Sequence, residues 1–291
     1  MTRAGIVTVV GKPNAGKSTL LNHIIGQKLS IVSPKPQSTR DRIVGIHSDA
    51  HTQMVILDTP GLLDPSYDLQ RAMRGAALGA LADADVILYL VDASEAHKVP
   101  ALSELARLDR EPRAATLLVL NKADLLRGAQ RDALVAEHPD ALFISARTGE
   151  GIPPLLEAAA ARLPESPFLY PGDDVSTQTM RFFASELVRE TALEQLEDEI
   201  PYSIACEIEE FRESGKPVYI RAVLHVERDS QKGILVGAGG QRIRSIGRDA
   251  RRKIEELVGQ QVYLDLWVKV LPNWRRKPAA LRRFGYEVPP T

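Results

Sequence analysis

The segment at residues 11–18, GKPNAGKS, is the feature that most constrains how this chain can fold. It follows an apolar run at residues 6–10 and precedes a helical pattern at residues 17–25. Two glycines at this spacing let backbone amides turn inward at the start of a helix, where phosphate groups bind. The segment therefore predicts a strand, a phosphate-binding loop and a helix, with Lys17 at the β- and γ-phosphates and Ser18 on Mg²⁺.

A second motif, NKAD at residues 121–124, predicts which base accompanies those phosphates. An ionised carboxylate accepts from two donors, and guanine offers N1–H and its N2 amino group side by side, whereas adenine offers no such pair. Asp124 therefore indicates guanine, and Asn121 is expected to hold the base and its loop. The segment SAR at residues 145–147 fits the rest of the base site, where the Ala146 N–H would meet O6.

Two further segments are candidates for the metal site and the switch. The motif DTPG at residues 58–61 ends a predicted strand, so that Asp58 would hold Mg²⁺ indirectly and the Gly61 amide could meet the γ-phosphate. The segment PQSTRD at residues 36–41 contains Thr39, the candidate hydroxyl that closes the Mg²⁺ shell only when GTP is bound. An ordinary loop hydroxyl is the alternative for Thr39.

These motifs together define the predicted nucleotide site. Hydrolysis is expected to use Lys17, Thr39 and Gly61, and the metal is expected at Ser18, Thr39 and Asp58. The residues expected to bind the nucleotide are Gly11, Asn14, Ala15, Gly16, Lys17, Ser18, Thr19, Asp58, Thr59, Pro60, Gly61, Asn121, Lys122, Asp124, Ser145 and Ala146. The predicted ligands are GTP or GDP with Mg²⁺, and the predicted reaction cleaves the phosphoanhydride bond of GTP.

The first half of the chain alternates short apolar runs with helical segments. Runs of this length that are rich in Val, Ile and Leu indicate strands buried on both faces, and their alternation with helices predicts a mostly parallel sheet covered on both sides. Residues 42–47 and 52–57 instead predict a hairpin, which makes the sheet mixed. The sequence predicts an α/β domain at residues 1–165 and a linker at 166–178, where three prolines and a glycine lie at 163–172.

The pattern changes after the linker. Residues 179–291 give the order α-β-β-α-α-β, which predicts a smaller α+β domain ending in a basic tail. Its two central helices are separated by the glycine cluster at residues 237–240. A GxxG loop between two helices is the element by which KH domains clamp a nucleic-acid backbone. The residues expected to bind RNA are Gly237, Ala238, Gly239, Gly240, Gln241, Arg242, Arg244 and Arg248.

The C-terminal segment mixes aromatic and basic residues. Trp274 precedes three basic residues, and Phe284 follows two. Such a mixture is typical of a platform for single-stranded nucleic acid, on which bases stack. The alternative is that Trp274, Phe284 and Tyr286 pack the tail onto its domain, and both can hold.

Charge and composition narrow the class of protein. The chain is 44% hydrophobic and 26% charged, as in globular proteins, and has neither a membrane-length apolar run nor a signal-peptide pattern. Residues 241–291 contain 12 Lys and Arg against 5 acidic residues, a net +7, while the remainder carries 25 against 33, a net −8. The basic end indicates a polyanionic partner. The single cysteine, Cys206, excludes an internal disulfide and is expected to be a core thiol.

Residues 1 to about 165 resemble the TrmE–Era–EngA group of translational GTPases, on the strength of GKPNAGKS, DTPG and NKAD in order. The resemblance implies a Ras-like G domain. The order of helices and strands in the second domain resembles that of a type II KH domain. One departure is that Ala238 and Gly239 occupy the two middle loop positions, which usually include a basic residue. Phosphate contacts would then fall to backbone amides, Gln241, Arg242 and Arg244.

The resemblance also raises a question about catalysis. Ras-type proteins place a water-orienting glutamine after DxxG, whereas this chain has Leu62, which cannot hydrogen-bond water. Hydrolysis must therefore use another group or be slow. Within the group, an asparagine at the position of Asn14 helps to bind K⁺, which implies that K⁺ could stimulate turnover here. The alternative is that Asn14 only ties the phosphate loop together.

For a member with a KH domain, the resemblance implies a cytoplasmic GTPase that binds the 3′ region of 16S rRNA and acts in assembly of the 30S subunit. Two other functions stay open. One is a GTP-dependent binding protein with negligible turnover, which Leu62 makes conceivable. The other is a GTPase held peripherally at the inner face of the cell membrane by its basic end, for which the helix at residues 241–257 would present an apolar face. Nothing in the sequence demands an oligomer.

Overall fold

The computed structural model describes residues 1–197 and 200–288. The chain divides into two compact units. The first consists of Met1–Pro65 and Met73–Thr177, and the second of Ser66–Ala72 together with the chain from Gln178 onward. Each unit contains a sheet of its own, and the predicted fold class, an α/β unit followed by a smaller α+β unit, is confirmed. Residues 289–291 of the predicted basic tail lie outside the described residues.

The first unit is built on a six-stranded sheet. Its strands are β1 (Arg3–Val10), β2 (Ile43–Ser48), β3 (Thr52–Asp58), β4 (Val86–Asp92), β5 (Ala115–Asn121) and β6 (Leu142–Phe143). The strand order is β2-β3-β1-β4-β5-β6, with β2 antiparallel to β3 and the other neighbours parallel. The predicted hairpin is therefore β2–β3, and the sheet is mixed as expected.

Helices connect these strands. They are α1 (Lys17–Ile25), α2 (Asp68–Ala82), α3 (Leu102–Ala106), α4 (Gly128–Glu137) and α5 (Ile152–Ala160). Every residue of β3 is buried, as are the first five of β4, because helices cover both faces of a parallel sheet. The carboxyl ends of parallel strands meet at one edge of a sheet, where ligands bind in this architecture. The loops that follow β1, β3 and β5 carry the three predicted nucleotide motifs.

The predicted linker is hydrogen-bonded to the edge of this sheet. The Ile46 N–H donates to Val175 O over 2.9 Å, and the buried Gln53 side chain accepts from the backbone N–H groups of Leu169 and Tyr170. Gln53 also donates to Tyr170 O. Because β2 is an edge strand, its unpaired backbone groups need partners, and this segment supplies some of them.

The second unit is an α+β fold. Its elements are α6 (Met180–Gln195), α7 (Ile200–Ser203), β7 (Ala205–Arg212), β8 (Val218–Val226), α8 (Asp229–Val236), α9 (Gln241–Val258), β9 (Val262–Val270) and α10 (Pro278–Arg283). The strand order is β7-β8-β9, with β8 antiparallel to β7 and parallel to β9. Alternate residues of β8, among them Ile220 and Leu224, pack against α6 and α9 to form the core.

The sequence pattern predicts helices at residues 17–25, 69–81, 101–108, 153–162 and 179–196 and two more within 230–259. Three of the described helices, α4, α7 and α10, lie outside these ranges. In α4 only Leu134 is buried, so the sequence has no apolar period that could reveal a helix. The four residues of α7 are too few for such a period, and α10 begins at a proline, which marks a helix start only when the helix is already suspected. No helix within the described residues has the length and apolar character needed to cross a membrane.

The tail packs onto the second unit through its aromatic residues. Trp274 is fully buried, and its indole N–H donates to Ser203 O over 2.8 Å. The Phe284 ring lies 5.2 Å from Trp274 and 5.1 Å from His225. For Trp274 the packing alternative therefore holds, because a ring with no exposed surface cannot stack on a base.

The Cys206 thiol is half-buried and lies against the core of the second unit. Burial raises its pKa, and the neighbouring Glu186 carboxylate raises it further. A thiol that stays protonated is a poor nucleophile. Cys206 is therefore a packing residue, as its sequence context predicts.

We expect Trp274→Ala to destabilise the protein by about 3–5 kcal/mol, because a large buried side chain and its hydrogen bond are lost. Urea denaturation followed by circular dichroism measures this change. The matched control is Trp267→Ala, since Trp267 is 55% exposed, and its effect should lie within about 0.5 kcal/mol. Equal stability of the two variants would contradict the inward docking of the tail.

Candidate functional site

The loops after β1 and β3 enclose a cavity of about 380 Å³ at the carboxyl edge of the six-stranded sheet. Its lining includes the phosphate loop, the segment that contains Thr39, and Gly61 and Lys122. Of the residues predicted to bind the nucleotide, those in the cavity wall are Asn14, Gly16, Lys17, Ser18, Thr19, Gly61 and Lys122. The phosphate loop, which connects β1 to α1, therefore lies at the mouth of a cavity large enough for a ligand.

The three residues predicted to hold the metal lie together. Ser18 Oγ donates to Asp58 Oδ2 over 2.7 Å and lies 2.9 Å from Thr39 Oγ1. Thr39 is buried, and its hydroxyl lies 3.5 Å from the same carboxylate oxygen. A fourth member, Ser30, donates to Asp58 Oδ2 over 2.7 Å. Sequence reasoning missed Ser30, which belongs to no motif.

The Asp58 carboxylate suits a hard cation. It is fully buried, and among the described residues its Oδ1 oxygen has no hydrogen-bond partner. Burial raises the pKa of Asp58, against the opposing effects of Lys17 and three hydroxyls. Hydroxyl and carboxylate oxygens are ligands that Mg²⁺ accepts, with the remaining positions left to water and phosphate. In the described residues there is no group of three His, Cys, Asp or Glu side chains that could hold a metal.

Lys17 is held inside the phosphate loop. Its Nζ donates to Gly11 O over 3.2 Å and to Lys12 O over 2.9 Å. Burial lowers the pKa of Lys17 to about 8, while Asp58 acts in the opposite direction. A buried ammonium group that is bonded only to carbonyl oxygens is arranged to receive an anion, because a phosphate would supply the charge that the site lacks.

The residues after β3 divide into two roles. The Thr59 hydroxyl is fully buried and donates to Val9 O over 2.7 Å, so it ties β3 to β1 and does not face the cavity. Gly61 lies so close to the phosphate loop that an added Cβ would be 2.7 Å from Pro13 N. Leu62 is buried among Ala77 and neighbouring apolar side chains. Its side chain therefore points away from the position where a water-orienting glutamine would act.

Asn14 joins two loops of the site. It adopts a positive φ of 63°, and its side-chain amide donates to Pro34 O over 3.1 Å. Pro34 belongs to the loop that leads to Thr39 and lines the same cavity. The side chain thus ties the phosphate loop to the loop that leads to Thr39.

The base site is organised by Asn121 at the end of β5. Its amide Nδ2 donates to Ala15 O over 2.7 Å, and its Oδ1 accepts from the Ala146 N–H over 2.9 Å. One side chain therefore joins the phosphate loop to the loop that follows β6. The Ala146 N–H, which the sequence predicts to meet guanine O6, thus lies at the base site and donates to Asn121.

Asp124 presents an ionised carboxylate at the base site. Its pKa is held below the usual range, chiefly by a hydrogen bond from Ser145, and its Oδ2 pairs with Arg147 over 2.9 Å. The Arg147 side chain is 76% exposed, so water can replace Asp124 as its partner when a base binds. Lys122 pairs with Asp92 over 2.6 Å, and Asp92 is a site residue that no motif revealed.

The predicted RNA loop lies on the surface of the second unit. Gly237, Gly239 and Gly240 have φ values of 72°, 55° and 76°, a region that favours glycine, and this lets the chain turn between α8 and α9. A Cβ at Gly237 would lie 2.8 Å from Arg242 Cβ. Ala238 and Gly239 are exposed, as are the side chains of Gln241, Arg242, Arg244 and Arg248. The loop is thus open to a ligand on its outer side.

The two arginines nearest this loop are held beside it by hydrogen bonds, Arg242 to the end of α8 and Arg244 to the loop itself. Arg242 donates to Ile234 O over 3.1 Å, and Arg244 donates to Gly239 O over 2.7 Å. These bonds fix each guanidinium beside the loop while leaving further N–H donors for phosphate oxygens. The opposite face of α9, with Ile246 and Ile254, is buried in the core.

The basic residues of the tail also divide into two groups. Arg275 pairs with Glu227, and Arg283 pairs with Glu207 over 2.8 Å, so both anchor the tail. Arg276, Lys277 and Arg282 are exposed. The outward side of the tail therefore presents cations, while its aromatic residues face inward.

We expect Gly16→Ala to weaken GDP binding at least 10-fold, because φ at Gly16 is 98° and an added Cβ would overlap Asn121 Nδ2. The substitution would displace the side chain that joins the phosphate loop to the base site. Isothermal titration with GDP measures the change. Gly26→Ala is the matched control, since φ there is 71° but nothing lies within 4 Å of the added atom. Equal affinities of the two variants would show that Asn121 does not depend on Gly16.

Comparison with known proteins identifies both units. A family model described as 50S ribosome-binding GTPase matches residues 6–122, and a KH domain model matches residues 199–275. GTPase Era of Carboxydothermus hydrogenoformans is 40% identical, over 98% of each chain, and GTPase Era of Marinobacter nauticus is 41% identical, over 98% of this chain and 95% of the relative.

Two solved structures of Era agree with this fold along the whole chain. One is an Aquifex aeolicus Era variant bound to GDP and AlF4⁻, and the other is Era bound to MgGDPNP and nucleotides 1506–1542 of 16S ribosomal RNA. Each is 38% identical, has a TM-score of 0.91, and covers 99% of this chain and 100% of its own. A nucleotide site with an ordered phosphate loop, a GxxG domain and this level of identity lead to one conclusion: the chain belongs to the Era family of GTPases.

Proposed function

We propose that this chain is a GTP-hydrolysing switch whose KH domain binds the 3′ region of 16S rRNA during assembly of the 30S subunit. The observation that carries the proposal is the presence of both sites in one chain that matches, over nearly its full length, a relative solved with MgGDPNP and that RNA. The Ser18–Thr39–Asp58 cluster supports a nucleotide-dependent switch, and the exposed GxxG loop supports RNA binding.

The residues of the chain divide the work of hydrolysis. Lys17 and the amides of the phosphate loop bind the β- and γ-phosphates and stabilise the charge that develops on them. Bound Mg²⁺ neutralises part of the phosphate charge. Thr39 and Gly61 adjoin the site from two separate loops, so that the order of both loops depends on the γ-phosphate.

Leu62 defines what the chain lacks for catalysis. Because its side chain is apolar and buried, the water that attacks the γ-phosphate must be positioned by another group. We infer that K⁺ bound beside Asn14 supplies charge stabilisation in place of an arginine finger. The low-turnover alternative rests on the same residue, and the response of turnover to K⁺ decides between them.

The surface of the KH domain supports RNA over a membrane as the partner of the basic end. A membrane-binding helix needs large apolar side chains on an accessible face. On the apolar face of α9, Ile246, Ala250 and Ile254 are fully buried, and Ile243 is partly buried against the same core. The exposed face carries Arg242, Arg244 and Arg248, which suits a phosphate backbone. We therefore propose a cytoplasmic location on the ribosomal subunit.

We expect Asp124→Asn to lower the preference for GDP over ADP by at least 100-fold, because the neutral amide no longer accepts from both N1–H and the N2 amino group. Competition binding with GDP, ADP and XDP measures the preference. Arg147→Ala is the control, since it removes the neighbouring guanidinium and leaves the carboxylate in place. An unchanged preference in Asp124→Asn would overturn the assignment of the base site.

Turnover of GTP tests the switch as a whole. We expect faster hydrolysis in K⁺ than in Na⁺ buffer, and further stimulation by an oligonucleotide that copies the 3′ end of 16S rRNA but not by a scrambled one. Asn14→Ala, which removes the side-chain carbonyl oxygen, should remove the difference between K⁺ and Na⁺. Turnover that stays negligible in both ions, with and without RNA, would support the binding-protein alternative.

The exposed basic residues of the tail predict a salt effect. We expect the variant Arg276→Gln/Lys277→Gln/Arg282→Gln to bind every RNA sequence more weakly and to lower the slope of log affinity against log salt by about 2 to 3. Filter binding at several KCl concentrations measures the slope. Arg107→Gln/Arg110→Gln/Arg113→Gln, in the G domain, is the control. An unchanged slope in the tail variant would exclude phosphate contacts there.

A further inference from the structure

Two large aromatic side chains are exposed side by side on one strand of the KH domain. Tyr263 and Trp267 on β9 are 58% and 55% exposed. They are four residues apart, so they lie on the same face of the sheet. That face is the one opposite to α6 and α9, which cover the core side. Exposed aromatic rings that share a surface commonly mark a binding site.

Tyr263 is the end of a stack that crosses the whole sheet. Arg212, Tyr219 and Tyr263 are directly opposite one another on β7, β8 and β9. The Tyr219 and Tyr263 rings are 5.8 Å apart with planes only 11° from parallel, and the Arg212 guanidinium lies 4.5 Å from the Tyr219 ring centre. Because β9 is the last strand of the described sheet, no further strand lies beyond Tyr263.

Asp265 holds these groups in place. Its Oδ1 accepts from Trp267 Nε1 over 2.7 Å. Its Oδ2 accepts from Tyr219 OH over 3.1 Å and from Arg221 Nε over 3.0 Å. The aromatic side chains are thus fixed before any ligand arrives, which lowers the entropic cost of binding.

The charges of this face cancel in pairs. Arg212 pairs with Glu210, Arg221 with Asp265, and Lys269 with Glu209. A phosphate would have to compete with a carboxylate for each of these cations. The surface therefore offers flat rings without net charge, which suits an uncharged planar ligand better than an anion.

The tail covers the other part of the same face. His225 lies under Phe284, and Glu207 is bonded to both His225 and Arg283. His225 is buried, whereas Tyr263 and Trp267 are not. The exposed rings are therefore the part of this face that the tail leaves open.

We propose that Tyr263 and Trp267 stack unpaired nucleobases of the RNA that the KH domain binds, as a second site separate from the GxxG loop. This inference rests on the proposed RNA-binding function. A GxxG loop clamps about four nucleotides, whereas the RNA in the related complex runs from 1506 to 1542. Stacking on aromatic rings tolerates any base, because every base has a flat face.

Tryptophan fluorescence gives a direct test. The chain has two tryptophans, Trp267 and Trp274, and Trp274 is buried with its N–H bonded. We expect an unstructured 12-nucleotide RNA to quench the emission of the full-length protein. In Trp267→Phe the quenching should disappear while the affinity changes by less than about threefold, because phenylalanine retains a stacking ring.

Affinities measured by fluorescence anisotropy with labelled RNA complete the test. We expect Tyr263→Ala and Trp267→Ala each to weaken binding of the 12-nucleotide RNA about 5- to 100-fold. An abasic oligonucleotide of the same length should bind the variants and the unaltered protein equally. Met180→Ala is the matched control, since Met180 is exposed in the same domain but is neither aromatic nor on this face.

The outcomes separate this inference from the proposed function. Ala238→Asp places a negative charge in the GxxG loop and therefore reports on RNA binding at that loop alone. If the unaltered protein binds no RNA, the proposed function fails. If Ala238→Asp weakens binding but Tyr263→Ala and Trp267→Ala do not, the second site is overturned and the function stands. Loss of 30S association with normal RNA affinity in the sheet variants would also overturn it, and would assign the face to a protein partner.

Discussion

The buried carboxylate of Asp58 is the group on which the nucleotide site depends. A buried charge is tolerated only when hydrogen bonds or an opposite charge compensate it. Here Ser18, Ser30 and Thr39 all direct hydroxyls at Asp58 Oδ2, and Lys17 adds its charge nearby. The three hydroxyls come from the phosphate loop (Ser18), the loop after α1 (Ser30) and the segment that contains Thr39, so the same carboxylate that would support Mg²⁺ also brings these loops together.

A single amide does the same for the base site. Asn121 joins the phosphate loop at Ala15 to the loop at Ala146, while Asn14 joins the phosphate loop to Pro34. The loop GKPNAGKS is therefore bonded on both sides, to the guanine-selecting loops and to the switch segment. A change in the phosphate loop on phosphate binding can therefore affect the base-binding loops and the loop at Pro34, because direct hydrogen bonds connect the phosphate loop to both.

In the KH domain the two faces of the sheet are covered to different extents. The face toward α6 and α9 is a closed apolar core. On the opposite face, Phe284 packs against both Trp274 and His225, whereas Tyr263 and Trp267 stay exposed. The paired arginines of the tail, Arg275 and Arg283, anchor this cover, while its remaining cations point outward. RNA would thus meet a GxxG loop flanked by arginines, a basic tail and an aromatic surface.

The sequence by itself determined the G domain, the guanine motif and the GxxG loop, because each depends on local chemistry. Glycines allow the turns, a carboxylate at a fixed spacing indicates guanine, and the period of the apolar residues indicates strands and helices. Tertiary structure alone decided which side chains face one another. No local pattern revealed that Ser30 donates to Asp58, that the Ala146 N–H donates to Asn121, or that Trp274 is buried while Trp267 is exposed. Those facts depend on contacts between segments far apart in the chain. A tryptophan or a serine is the same residue whether the fold buries it or leaves it exposed, so residue type alone does not reveal the contact.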